Sequence, residues 1–114
     1  MDAYRFDRER WSKLTFYEQM GNIGAEVGRA ITARRNMDDL RERRAIDRAI
    51  DLFSATVEAL VGTDRSYRLK EALRARDEFL RLFYDGTFDR DADNIERYFM
   101  YFAALARVKD HGFM

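Results

Sequence analysis

A chain of 114 residues with 46% hydrophobic and 37% charged residues is long enough for one core and too short for two independent ones. Its 21 basic residues balance 21 acidic ones, which excludes a uniformly basic surface for nucleic acid. It has no cysteine, so disulfides, thiol nucleophiles and thiolate metal sites are excluded, and no proline, which removes one cause of helix interruption.

The opening stretch, MDAYRFDRERW, is charged from its second residue and has no apolar signal core. No segment approaches the roughly eighteen uninterrupted apolar residues that a transmembrane helix needs. The expectation is a cytoplasmic protein with no membrane association. Within residues 1–14, Tyr4, Phe6, Trp11 and Leu14 are the apolar or amphipathic positions. This arm is expected to form a short helix or a strap, with Trp11 closing one end of the core or, as the alternative, anchoring a partner.

The first long helix is expected over Phe16–Arg34. Thr15 and Glu18 have capping-box spacing at its start. Phe16, Met20, Ile23, Val27 and Ile31 make one apolar stripe. Gly21, Gly24 and Gly28 make a second track beside it. Each mid-helix glycine costs roughly 0.5–1 kcal/mol against alanine, so the track implies close helix packing or a bound partner. Replacing Gly24 by leucine is therefore expected to disrupt folding or assembly.

The helix should fade at residues 35–37, with Asn36 or Asp38 capping the next one. That second helix spans about residues 38–61 and ends at Gly62, a residue able to take the left-handed conformation. Its stripe contains Leu40, Ile46, Ala49, Ile50, Phe53, Val57 and Leu60. A third helix over about 65–84 offers Leu69, Leu73, Phe79, Leu80 and Phe83, and Gly86 breaks it. Asp93 and Glu96 again have capping-box spacing, which predicts a fourth helix from there to about Lys109. Short connections favour antiparallel neighbours. The sequence thus predicts one all-α domain over 1–114, an antiparallel up-down-up-down four-helix bundle with an N-terminal arm. The second choice is a three-helix core with one helix donated to a partner.

Two surfaces carry the functional expectations. From Arg29 to Arg48 seven arginines face four acids, whereas Asp85–Glu96 has five acids against Arg90 alone. Arg34, Arg35, Arg41, Arg44 and Arg48 are the candidate contacts to RNA, DNA or an acidic protein surface. Arginine pairs with phosphate and carboxylate alike, so residue type leaves both open. The second surface is the aromatic-rich last helix. Tyr98, Phe99, Tyr101 and Phe102 cannot share one narrow stripe at about 100° per residue. Tyr98 and Tyr101 are the candidate oligomer contacts, and a homo-oligomer is expected.

Catalytic chemistry is sparse. The one histidine, His111, lacks the Glu-x-x-His partner of bundle metal sites, so no metal and no cofactor are expected. Arg107 and His111, four residues apart, resemble the arginine–histidine motif of the helical ribonuclease superfamily often found in toxins. That resemblance implies a metal-independent ribonuclease acting on an RNA phosphate and ribose hydroxyl. It is the alternative to a non-enzymatic reading.

A wider resemblance is carried by Asn22-Ile23-Gly24-Ala25-Glu26-Val27-Gly28-Arg29, followed by the helix Arg48-Ala49-Ile50-Asp51-Leu52-Phe53-Ser54-Ala55-Thr56-Val57-Glu58-Ala59-Leu60. The stretch 16–62 resembles a small four-helix family. It includes proteins encoded by intervening sequences of large-subunit ribosomal RNA genes and the accessory variability proteins of diversity-generating retroelements. Asn22, Ile23, Glu26 and Gly28 match the family's Asn-Ile-Ala-Glu-Gly pattern with local insertions. The resemblance implies a four-helix bundle that assembles as a ring. Its retroelement members assist a reverse transcriptase and contact nucleic acid through basic surfaces. Together these readings favour a non-enzymatic, self-associating adaptor or scaffold that binds a protein–nucleic-acid assembly, with an RNA-binding accessory factor as an alternative.

Overall fold

The computed structural model describes residues 6–110. Among the described residues five helices follow one another: α1 (Arg8–Ser12), α2 (Phe16–Arg35), α3 (Asp39–Leu60), α4 (Ser66–Tyr84) and α5 (Phe88–Asp110). No strand occurs among the described residues. The fold is all-helical.

Helix boundaries follow from local chemistry. At the start of α2, the Thr15 hydroxyl accepts from the Glu18 amide at 3.1 Å, and the Glu18 carboxylate accepts from the Thr15 amide at 2.7 Å. This reciprocal pair satisfies two amides that would otherwise lack partners. The α2–α3 turn closes with Met37 N–H on Arg34 O at 3.0 Å and Asp38 N–H on Ala33 O at 2.9 Å. That is the Schellman arrangement, with Met37 rather than glycine at positive φ (56°). Asp38 then caps α3, its carboxylate accepting from the Arg41 amide at 3.1 Å. Gly62 after α3 takes φ +84°, the conformation its lack of Cβ permits.

The last helix begins earlier than its sequence spacing predicts. α5 starts at Phe88, five residues before Asp93. Phe88, Ala92, Ile95 and Phe99 form a stripe that packs into the core, and that burial extends the helix backwards. Asp93 and Glu96 lie inside the helix and turn to Arg35 of α2, at 2.6 and 3.8 Å. Leu40 also departs from expectation: it is 54% exposed rather than part of the α3 stripe.

α2 lies at the centre, packed most extensively against α3 and α5, while α4 contacts α3 and α5. Met20, Ile23, Val27 and Ile31 of α2 are fully buried. They meet a ring cluster in which Phe53 lies 6.2 Å from Phe79 and 6.1 Å from Phe99. Each such side chain contributes roughly 1.5–3 kcal/mol on burial. α1 lies against α3. The Trp11 indole is buried there, donating to the Thr56 hydroxyl at 3.0 Å, and the Gln19 amide donates to Trp11 O at 2.8 Å.

The glycine track of α2 faces α5. A Cβ at Gly24 would lie 2.8 Å from Phe99 Cβ, and one at Gly21 would lie 3.1 Å from Ala103 Cα. At Gly28 the nearest atom would be a Glu96 carboxylate oxygen at 3.6 Å, an ordinary contact distance. Two of the three glycines are thus held by the backbone or Cβ of the neighbouring helix.

Candidate functional site

The five arginines named from the sequence divide into two groups. Arg34 and Arg35, in the last turn of α2, are directed to residues of α3, α4 and α5. The Arg34 guanidinium pairs with Glu42 at 3.3 Å and lies over the Phe83 and Phe88 rings at 5.7 and 5.2 Å. Arg35 takes Asp93 and Glu96. Part of the acidic stretch Asp85–Glu96 therefore meets its arginine within the same chain. Exposed pairs of this kind contribute about 0–1 kcal/mol each, so they orient α5 more than they stabilise it.

Arg41, Arg44 and Arg48 come together elsewhere. Their spacing of three and four residues places them on one side of α3, where they line a groove of about 610 Å³ with Arg29 of α2. Small α2 residues, Ala25, Gly28, Thr32 and Ala33, line it as well, and Asp38 and Glu96 supply its carboxylates.

Electrostatics differ along this groove. Glu26, with a side chain only 12% exposed, takes Arg29 at 3.0 Å on one oxygen and Arg48 at 3.1 Å on the other. One carboxylate thereby holds guanidinia from two helices. Arg41 reaches Asp38 at 3.5 Å. Among the described residues, Arg44 has no carboxylate within ion-pair distance, although the groove's other arginines do. The arginine-rich stretch from Arg29 to Arg48 pointed to Arg41, Arg44 and Arg48 as contacts, but not to Arg29 itself or to Glu26. That one carboxylate would join Arg29 and Arg48 depends on the packing of α2 against α3, which their spacing does not announce.

The two tyrosines expected on an oligomer surface also separate. Tyr98 is half-buried between α5 and α4, where its hydroxyl donates to Glu71 at 2.9 Å. Burial, and then this hydrogen bond to a carboxylate, push its pKa above the ordinary tyrosine value. Tyr101 is 62% exposed and stands with Met100 (63%) and Val108 (46%) on the outward side of α5. Met100 was not singled out by the sequence reading.

Arg107 lies on α5, but His111 falls outside the described residues, so the Arg107–His111 pairing is not placed. Among the described residues no group of three or more His, Asp or Glu side chains is arranged to hold a metal, and no helix is long and apolar enough to cross a membrane. Compared with family models, curated proteins and solved structures, the chain finds no match.

Proposed function

We propose that the protein is a non-enzymatic helical adaptor that self-associates through α5 and presents its α2–α3 groove to a partner assembly containing protein and nucleic acid. In this reading the four long helices form an antiparallel up-down-up-down bundle, and α1 is its arm. The chain is a distant member of the family that its 16–62 stretch resembles.

One observation carries the self-association: the outward face of α5. Met100, Ala104 and Val108 are spaced by four residues, with Tyr101 beside them, and all four are exposed. Helical residues at this spacing form one continuous surface. An apolar face containing an aromatic and a methionine is the composition that subunit contacts favour. The glycine track does not compete for the role, because Gly21 and Gly24 are already closed by α5.

Molar mass measured by light scattering over a hundredfold concentration range tests the proposal. Wild type is expected to exceed the monomer mass. Tyr101→Glu combined with Met100→Glu is expected to return it to monomer with unchanged helix content by circular dichroism. A wild type that stays monomeric throughout overturns self-association.

The RNA-binding accessory reading is favoured by one separate observation, the shared side of α3 occupied by Arg41, Arg44 and Arg48. It requires RNA affinity that falls steeply with salt, because each neutralised phosphate releases a counterion.

A further inference from the structure

We propose that the α2–α3 groove is a binding site for a phosphate monoester dianion, the charge carried by a free phosphate or by a phosphorylated small molecule of nucleotide size. This goes beyond the reading of the groove as a contact surface for an assembly: its ligand here is a small phosphate-bearing molecule instead of a nucleic-acid strand.

Charge comes first. Four guanidinia, from Arg29, Arg41, Arg44 and Arg48, line the groove. Against them stand the carboxylates of Asp38 and Glu96 in its lining and of Glu26, which pairs with Arg29 and Arg48, leaving an excess of one positive charge. A phosphate monoester near neutral pH carries about −1.5 to −2, so a single such group is enough to neutralise that excess. Arg44 is the natural first contact, because no carboxylate among the described residues competes for it at ion-pair distance. Arg48 is oriented by Glu26, which is nearly buried. A guanidinium held in place loses less freedom when it binds an anion. The Arg41 amide in the first turn of α3 takes no part, since the Asp38 carboxylate already accepts from it.

Shape points the same way. A groove of about 610 Å³ is within the range of small-molecule sites, roughly 300–1,000 Å³. Ala25, Gly28 and Ala33 supply small apolar surface for an uncharged portion of the ligand. A long single strand of nucleic acid fits less well. Its successive phosphates would meet Asp38 and Glu96, and no aromatic side chain lines the groove to stack a base.

The test is amide chemical-shift titration of the full chain with four probes: AMP, inorganic phosphate, adenosine and a ten-nucleotide single-stranded RNA. AMP or phosphate is expected to give saturable shifts at Gly28, Thr32, Ala33 and Arg44, and the tighter of the two names the source of the dianion. Adenosine is expected to give none. Arg44→Ala, at an exposed position, is expected to keep the fold and weaken AMP or phosphate by about tenfold, the loss of one charge-assisted hydrogen bond. Two results overturn the proposal: no saturation by AMP and phosphate at about 10 mM, well above useful affinity, or affinity unchanged in Arg44→Ala. Where the first of these comes with RNA binding, the groove passes to the polyanion reading. Molar mass measured on the same samples reports separately on self-association.

Discussion

At the scale of single residues, buried and half-buried polar contacts add to the apolar packing that joins the helices. Trp11 donates to Thr56, tying α1 to α3, and Tyr98 donates to Glu71, tying α5 to α4. Tyr98 makes the second of these pH-sensitive. Its folded pKa is raised, because burial disfavours the phenolate and Glu71 accepts from the phenol. A raised folded pKa means that the native chain holds this proton where the unfolded chain has released it. The stability from Tyr98 is thus complete below the unfolded value of about 10 and declines as pH rises beyond it. Urea unfolding between pH 8 and about 11.5 is expected to show stability falling with pH, less steeply in Tyr98→Phe than in wild type. Equal slopes would show that the Tyr98 proton is held no more tightly in the folded chain than in the unfolded one.

Between two helices, the same substitution acquires opposite signs. Alanine gains roughly 0.5–1 kcal/mol over glycine in a helix interior, whatever the neighbour. At Gly28 the new methyl meets only a carboxylate oxygen at 3.6 Å, so Gly28→Ala is expected to stabilise by about that amount. At Gly24 it meets Phe99 Cβ at 2.8 Å, an atom attached directly to the α5 backbone and unable to swing aside. Gly24→Ala is expected to destabilise by about 1–3 kcal/mol, the usual cost of overpacking. Chemical denaturation of the two variants checks both signs. The three-residue and four-residue spacing made this track visible in the sequence, but not which glycine would be closest, since that depends on where α5 places Phe99 and Ala103. The start of α5 was legible in principle, as Phe88, Ala92, Ile95 and Phe99 continue its stripe. A capping-box spacing at Asp93 and Glu96 competed with that stripe, and tertiary burial decided for the longer helix.

For the molecule as a whole, local rules located the turns and caps, while only the packing could sort the arginines. Thr15, Asp38, Gly62 and Gly86 act within a few residues of themselves, so their roles were readable. Arg35 meets Asp93 fifty-eight residues away, and no spacing announces that pairing. The same distinction governs how the chain should open. α2 is buried against α3 and α5 together, and its Met20, Ile23 and Val27 are inaccessible to solvent. Exposing their amides requires separating α2 from both neighbours at once, which approaches global unfolding. α1 has five residues and is attached to the rest chiefly through Trp11, so its release leaves the α2 contacts in place. Native-state hydrogen exchange is therefore expected to place the slowest amides in Met20–Val27, with those of α1 opening at markedly lower free energy. In rising urea, the α2 amides should follow the global unfolding curve while those of α1 remain nearly insensitive, because little surface is exposed by their opening. If α1 exchanged with the same free energy and urea dependence as α2, the arm would belong to the cooperative core. If α4 proved slower than α2, the centre of the molecule would lie elsewhere.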